Sequence, residues 1–194
     1  MQALSQPIAR LKNAAATRDA ILAAARQRFM KESYDSVGLR DIAGDAGVDV
    51  ALIGRYFGSK EKLFEEVVDK GEPLPFPESM APAELPSFLT ALFEAHDAAE
   101  HREHAEQLLI ILRSASSPVA AGIVREAMRK DVIQPLADHL RGEAPEARAS
   151  LAMAVWMGVT VLRSIMAVEP MCDRKCEVVN SKLALLYEAA LSEL

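Results

Sequence analysis

At 194 residues, 51% of them hydrophobic, the chain can build a sizeable core, either as one large domain or as a small domain joined to a larger one. Two cysteines exclude a disulfide framework, Arg10 and Lys12 interrupt anything resembling a secretion signal, and the longest strongly apolar run, residues 151–162, is well short of the roughly 20 residues that span a bilayer. The net charge of −6 is uneven: residues 1–62 hold ten Lys/Arg against seven Asp/Glu, a net of +3, while the other 132 hold 12 against 21, a net of −9. The expected setting is the cytoplasm, and residues 151–162 are expected to form a buried helix.

In chain order, residues 1–16 lack helical punctuation and carry two positive charges, so the expectation is an arm, either disordered or touching a DNA minor groove or phosphate. From Thr17, a plausible N-cap, Ile21, Ala25 and Phe29 recur every four residues beside Leu22 and predict an amphipathic helix ending near residues 31–33. Gly38 then caps a second helix, with Leu39, Ile42 and Ala43 on one face, running to about Asp45. Ala46-Gly47-Val48 is a turn, and Asp49 is the N-cap of a third helix over residues 50–56 whose inner face is Val48, Ile53 and Phe57. Gly58-Ser59 closes it, and Ser59 caps a fourth helix starting at Lys60 and carrying Leu63, Phe64, Val67 and Val68. Two short helices joined by a tight glycine turn pack only at a steep angle, which frees the outer face of the second for a major groove.

The combination TRDAILAAARQRF, LRDIA, AGV and YFGSKEKLF resembles the N-terminal domain of the TetR family of bacterial transcriptional repressors over residues 17–64. The resemblance implies an all-α fold, with a three-helix helix-turn-helix DNA-binding domain and a larger helical domain for ligand binding and dimerisation. It implies that Val50, Ala51, Leu52 and Arg55 form the outward face of the recognition helix, that Arg40 reaches a base edge or phosphate, and that Tyr56 and Lys60 touch phosphates. Arg55 is the outward residue able to make a bidentate contact with guanine, while Ala51 and Leu52 suit thymine methyl groups. Leu52 has a second reading, as core. Two positions depart from the family pattern: Val50 stands where a polar residue is frequent, and Gly54 replaces a frequent tyrosine. Gly54 costs helix stability, so it reflects either tolerance or a close approach of backbone to DNA.

Residues 73–86 contain five prolines, which rules out a continuous helix there and marks a boundary, with Leu74 and Phe76 available to pack. The division expected is an arm at 1–16, a DNA-binding domain at 17–70, a Pro-rich linker at 71–86 and a helical domain at 87–194. Within the last, Phe88, Leu89, Leu92 and Phe93 form one apolar stripe, residues 108–112 a fully buried one, and Ile123, Met128, Val132, Ile133 and Leu136 another, with Pro135 a kink. Two long helical segments follow, at 146–168 and 173–194.

The family's last two helices form a four-helix dimer interface, which the resemblance places here. The small-residue face of Ala149, Ala152, Met153, Trp156, Met157 and Thr160, with Leu183, Leu186 and Tyr187 on the final helix, is the expected contact. The family also encloses an effector between its central helices. Phe88, Leu92, Phe93, Leu108, Leu112, Met128 and Trp156 are the candidate lining here, with Arg113 and His96 as polar handles.

His96, His101 and His104 fall within nine residues, but their spacing matches no zinc pattern and their segment is dense in charge. Cys172 and Cys176 read as ordinary thiols. No metal or other cofactor is expected, and no arrangement of nucleophile, base and orienting group suggests an enzyme. The expectation is a homodimeric repressor of a palindromic operator, released by a small hydrophobic or amphipathic effector. The alternative is a helical small-molecule-binding or enzymatic protein that keeps the helix-turn-helix as scaffold.

Overall fold

The computed structural model describes residues 5–69, 76–77, 80–95, 98–172 and 176–193, with side chains described outside 5–13, 93–95 and 98–101. The described elements are helical: α1 (Ser5–Lys31), α2 (Leu39–Ala46), α3 (Val50–Phe57), α4 (Lys60–Val68), α5 (Leu85–Ala95), α6 (Ala98–Ser114), α7 (Pro118–Met128), α8 (Gln134–Ala137), α9 (Pro145–Thr160) and α10 (Glu177–Leu191). A 3-10 turn, Pro82–Glu84, leads into α5. Two compact units emerge: Met1–Asp69 with Ile110–Val124, and Lys70–Leu109 with Arg125–Leu194. The expected single cut near the proline run therefore omits a return of the chain, because residues 110–124 come back to the first unit.

In the first unit α1 packs on α2 and α4, and α3 packs on α2 and α4. α1 begins at Ser5 rather than at Thr17, so residues 5–16 are helix and not an arm. Ile21, Ala25 and Phe29 line the buried face of α1, and Ile42 on α2, Ile53 on α3 and Leu63 and Phe64 on α4 are likewise fully enclosed. At the centre, Phe29, Tyr34 and Phe64 form a ring cluster, with Phe64 edge-on to Phe29 at 4.9 Å and to Tyr34 at 5.0 Å. Charges brace the outside. Arg28 donates to Asp45 at 2.8 Å and to Glu32 at 3.2 Å, tying α1 to the end of α2. Arg28 also holds the Asp45 carboxyl below the usual carboxylate range, so this link acts above the ordinary carboxylate pKa and is lost as pH falls through the lowered one. Arg18 pairs with Glu66 and lies 4.9 Å over the Phe57 ring. From the returning segment, the buried Ser117 hydroxyl donates to Asp35 at 2.9 Å.

The second unit is built on α10, which packs against α5 and α9, with α8 on α9. Leu85, Leu89, Leu136, Ala137, Ala149, Ala152, Leu183 and Tyr187 form its core. Phe76 joins the edge of that core, 5.6 Å from the Phe88 ring and 5.3 Å from the His139 ring, whereas Leu74 lies outside the described residues. The kink expected at Pro135 takes the form of a π-helical turn, Arg129–Ile133, just before it. Proline has no N–H to give and its ring crowds the carbonyl one turn back, so the helix widens there; the Gln134 N–H donates to the Arg129 carbonyl in place of the usual partner. A second π turn, Val161–Ile165, extends α9.

Arg148, a buried cation, uses its guanidinium on carbonyls: it donates to Leu191 at 3.0 Å and also to Arg141 and Glu143. It thereby closes the C-terminal end of α10, where free carbonyls and the helix dipole favour positive charge. Among the described residues no helix is long and apolar enough to cross a membrane. The run at 151–162 is not simply buried: Ala152, Val159 and Thr160 face the interior, but Leu151 and Leu162 are exposed. Likewise the stripe at 108–112 is enclosed at Leu108 and Ile110 but emerges at Leu112, which is 46% exposed.

Candidate functional site

The link from α2 to α3 follows from local chemistry. Gly47 takes the left-handed conformation, φ 67°, that ends α2 and turns the chain at no steric cost. Asp49 then accepts from the Ala51 N–H at 2.7 Å, and Ser59 accepts from the Lys62 N–H at 3.2 Å, so α3 and α4 each start on a side-chain cap. Between them Gly58, φ 82°, closes α3.

α3 is two-sided. Ile53 and Phe57 are sealed inside, while Val50, Ala51, Gly54 and Arg55 are exposed and Leu52 and Tyr56 are half-buried. Leu52 thus belongs wholly to neither of its two readings. Arg40 is exposed on α2, which packs directly against α3. Lys60 sits in the first turn of α4 with its Nζ 4.4 Å from the centroid of the Tyr34 ring. Partial burial there lowers the pKa of its amine and pushes the Tyr34 phenol up to about 12, with Glu61 adding to the latter. A lysine seated on a ring has fewer rotamers to lose when it meets an anion.

A Cβ added at Gly54 would meet nothing within 4 Å, so no neighbour inside the protein requires glycine. Gly54→Ala is expected to stabilise the first unit by about 1 kcal/mol, read as a rise in the midpoint of thermal unfolding. A fall in that midpoint would count against this description of α3, and a loss of DNA affinity in the stabilised variant would assign the glycine to close backbone approach.

In the second unit a recess is walled by Leu89, Leu92, Val132 and Leu136 on one side of the sequence and by Ala152, Met153, Trp156 and Tyr187 on the other. Its enclosed volume is about 30 Å³, and about 420 Å³ when counted out to solvent. Tyr187 is fully buried, burial pushes its phenol pKa upward, and its hydroxyl has no hydrogen-bond partner among the described residues. Leaving such a group unpaired costs about 1–3 kcal/mol. Trp156 is half-buried, and the His104 ring stands edge-on to it at 5.6 Å.

The expected pocket lining is corrected accordingly. Leu92 and Trp156 do line the recess. Phe88 packs beside it against the core, Leu108 is buried elsewhere and Met128 is half-buried off the recess. Leu112 and Arg113 belong to the first unit and are not among the residues that line the recess; the exposed Arg113 donates to the Lys31 carbonyl at 3.4 Å. The side chain of Phe93, the side chain of His101 and all of His96 lie outside the described residues.

The expected dimer face is corrected as well. Ala149, Thr160, Leu183 and Tyr187 are buried in the chain's own core, and Met153 and Trp156 face the recess. Met157 is half-buried, and of the named residues Leu186 is exposed. The exposed apolar residues are others: Leu151 (58%) and Leu162 on α9 and its π extension, and Val178 (70%) and Leu185 (53%) on α10. Pattern alone carried a usable signal for the recess, since Leu89, Val132 and Leu136 are periodic apolar positions and Val132 precedes Pro135 by three residues. Arg148 carried none, because its partners are backbone carbonyls, which no residue type announces.

A capped, two-sided helix held on a second helix by a left-handed glycine turn, with a separate helical unit following, defines a helix-turn-helix protein. The match to family models is direct: residues 21–67 match the bacterial regulatory proteins of the TetR family, and residues 87–190 match the tetracyclin repressor-like C-terminal domain. The chain belongs to the TetR family and is a transcriptional regulator of that kind.

Solved structures share the fold. NalD of Pseudomonas aeruginosa, the secondary repressor of the MexAB-OprM multidrug efflux pump, is 18% identical with a TM-score of 0.64, over 93% of this chain and 98% of that one. GusR of Salmonella enterica is 19% identical with a TM-score of 0.64, over 90% and 95%. A TetR transcriptional regulator from Rhodococcus sp. RHA1 is 20% identical with a TM-score of 0.55, over 94% and 99%. No curated protein matches the chain in sequence.

Proposed function

We propose that the chain is a homodimeric repressor that binds a palindromic operator through α3 of each protomer and is released by a small hydrophobic or amphipathic molecule held in the larger unit. The observation that carries this reading is α3 itself, sealed at Ile53 and Phe57, capped at Asp49 and open at Val50, Ala51, Gly54 and Arg55. A short helix so braced enters a groove without losing further order. Arg55 then takes guanine, Ala51 and Leu52 meet thymine methyl groups, and Arg40 reaches a second base edge or phosphate. Tyr56 and Lys60 clamp the phosphates on either side. With Val50 and Gly54 apolar, recognition leans on shape and apolar contact more than on hydrogen bonds.

Exposed Leu151, Leu162, Val178, Leu185 and Leu186 support a contact between two copies through α9 and α10, and a two-fold dimer reads a palindrome. The recess at Trp156 supports the effector part of the reading, and the description of NalD as a repressor supports the sign of the regulation. The effector would act through different affinities for two arrangements of the dimer, the sole way a ligand shifts such an equilibrium.

The test is binding of the purified chain to a palindromic fragment from its own upstream region at two salt concentrations. A protein touching six or more phosphates is expected to lose on the order of 10³-fold in affinity between 50 and 200 mM salt. Undetectable or salt-insensitive binding sinks the reading in favour of a scaffold with another task. In the same assay Arg55→Ala is expected to relax preference at one base pair at a cost of about 1–3 kcal/mol, whereas Lys60→Ala weakens all sequences about equally. Uniform losses in both variants would undo this division of roles.

A further inference from the structure

We infer that Asp35 and Ser117 are positioning residues for Lys60: the returning segment 110–124 holds the turn on which this lysine is seated, and so keeps its ammonium in place for a DNA phosphate. The inference rests on the reading of Lys60 as a phosphate clamp and adds the residues that hold the clamp.

The seat is built from the connection between α1 and α2. The Ser36 N–H donates to the Ser33 carbonyl at 3.0 Å and the two serine hydroxyls lie 2.9 Å apart, which closes a turn with Tyr34 and Asp35 at its centre. These two residues take opposite roles. Tyr34 is buried, its ring stacked on Phe29 at 6.0 Å and met edge-on by Phe64 at 5.0 Å, and the Lys60 Nζ lies 4.4 Å from the ring centroid. Asp35 is exposed, and its carboxylate accepts from the hydroxyl of Ser117, 82 positions further along the chain, at 2.9 Å.

Ser117 is 1% exposed and lies in the segment that returns to the first unit. A second tie from that segment runs from Arg113 to the Lys31 carbonyl at 3.4 Å, at the α1 end of the same connection. Charge links the seat to the lysine as well. Burial lowers the pKa of the Lys60 amine, and of the groups that oppose this Asp35 acts more strongly than Glu61. An ammonium held on a ring face and attracted by a carboxylate beside that ring has little freedom left to lose on meeting a phosphate. With the turn released, Lys60 becomes an ordinary mobile lysine, and its contact weakens on every base sequence alike.

The test is a double-mutant cycle in the full-length protein, read as affinity for the palindromic fragment over a range of salt concentrations. Ser117→Ala, which removes one oxygen and no charge, is expected to lower affinity about three- to tenfold on all sequences. It should also make the dependence of log affinity on log salt shallower, by no more than the roughly one unit that loss of a phosphate contact gives. In the Lys60→Ala background the same substitution is expected to cost nothing further. Asp35→Asn keeps an oxygen for Ser117 and removes the charge; it is expected to weaken binding in the parent but not in Lys60→Ala. Because Asp35 is exposed, this second variant keeps the fold and carries the test should Ser117→Ala unfold.

Equal losses in both backgrounds, or a loss larger than that of Lys60→Ala itself, would overturn the inference. So would tighter binding by Asp35→Asn in the parent, the result expected of a carboxylate that merely competes with phosphate for the lysine. Unchanged affinity in both variants, with Lys60→Ala still weakening every sequence, overturns the positioning role and leaves the clamp standing. A parent that binds no operator, or a Lys60→Ala variant that loses nothing, overturns the clamp and the inference with it.

Discussion

Phe64→Ala is expected to remove most of the stability of the first unit. Phe64 is fully buried on α4 with Phe29 and Tyr34 edge-on to it at 4.9 and 5.0 Å, so its loss leaves a cavity where three rings now meet. Truncation of a buried phenylalanine costs about 3–5 kcal/mol, against a total of about 5–15 kcal/mol for a whole domain. For a unit of this size the midpoint of unfolding should fall on the order of 20 °C, followed by far-UV circular dichroism. Tryptophan emission, which comes from Trp156 in the other unit, serves as the internal control. Phe64→Leu, which keeps most of the volume, is expected to cost less than about 1.5 kcal/mol. A loss below about 1 kcal/mol in Phe64→Ala would mean that the ring cluster is not what holds α1 to α4.

The same unit shows what a sequence carries in plain view. Asp49, Ser59 and Gly47 each do one chemical job with neighbours a few residues away, and capping oxygens and left-handed glycines are recognisable without tertiary information. The start of α1 was not visible in this way. Residues 5–16 have no distinctive cap, and the expectation of a helix from Thr17 rested on where a cap could be found; the alanines at 14–16 were the available signal, since alanine favours helix without needing a partner.

In the larger unit the difficulty is of another kind. α9 with its π extension is apolar on more than one side, with Ala149 and Ala152 inside and Leu151 and Leu162 outside, so periodicity announces a helix without saying which stripe its own chain covers. The choice of Ala149, Thr160, Leu183 and Tyr187 as a contact with another copy took the inner stripe for the outer one. The recess was only partly legible for a related reason: its walls come from positions spread between 89 and 187, and what brings them together is packing. Arg113 looked like a polar handle near an apolar stripe, but the returning segment 110–124 spends it on the Lys31 carbonyl.

Because Trp156 lines the recess, a charge placed there would disrupt the interior of one chain and say little about dimers; Leu185→Glu makes the decisive substitution on the proposed interface. Leu185 is 53% exposed on α10, beside the equally exposed Leu186, so the isolated chain should keep its fold when the residue becomes polar. At a two-fold contact each substitution occurs twice, and two glutamates brought to one apolar seam lose the burial of two leucines, about 1.5–3 kcal/mol each, and add repulsion and desolvation costs. The dimer dissociation constant should rise by a factor on the order of 10³ or more, since every 1.4 kcal/mol is about tenfold. Light scattering at micromolar concentration should then return the mass of one 21.1 kDa chain in place of two. Operator affinity should fall with it by about 10²–10⁴, the gain that linking two reading heads confers, while circular dichroism and the unfolding midpoint of the monomer stay close to those of the parent. An intact dimer in Leu185→Glu would move the interface elsewhere on the chain. A monomer that still bound the palindrome with undiminished affinity would remove the dimer from the mechanism and leave α3 reading its half-site alone.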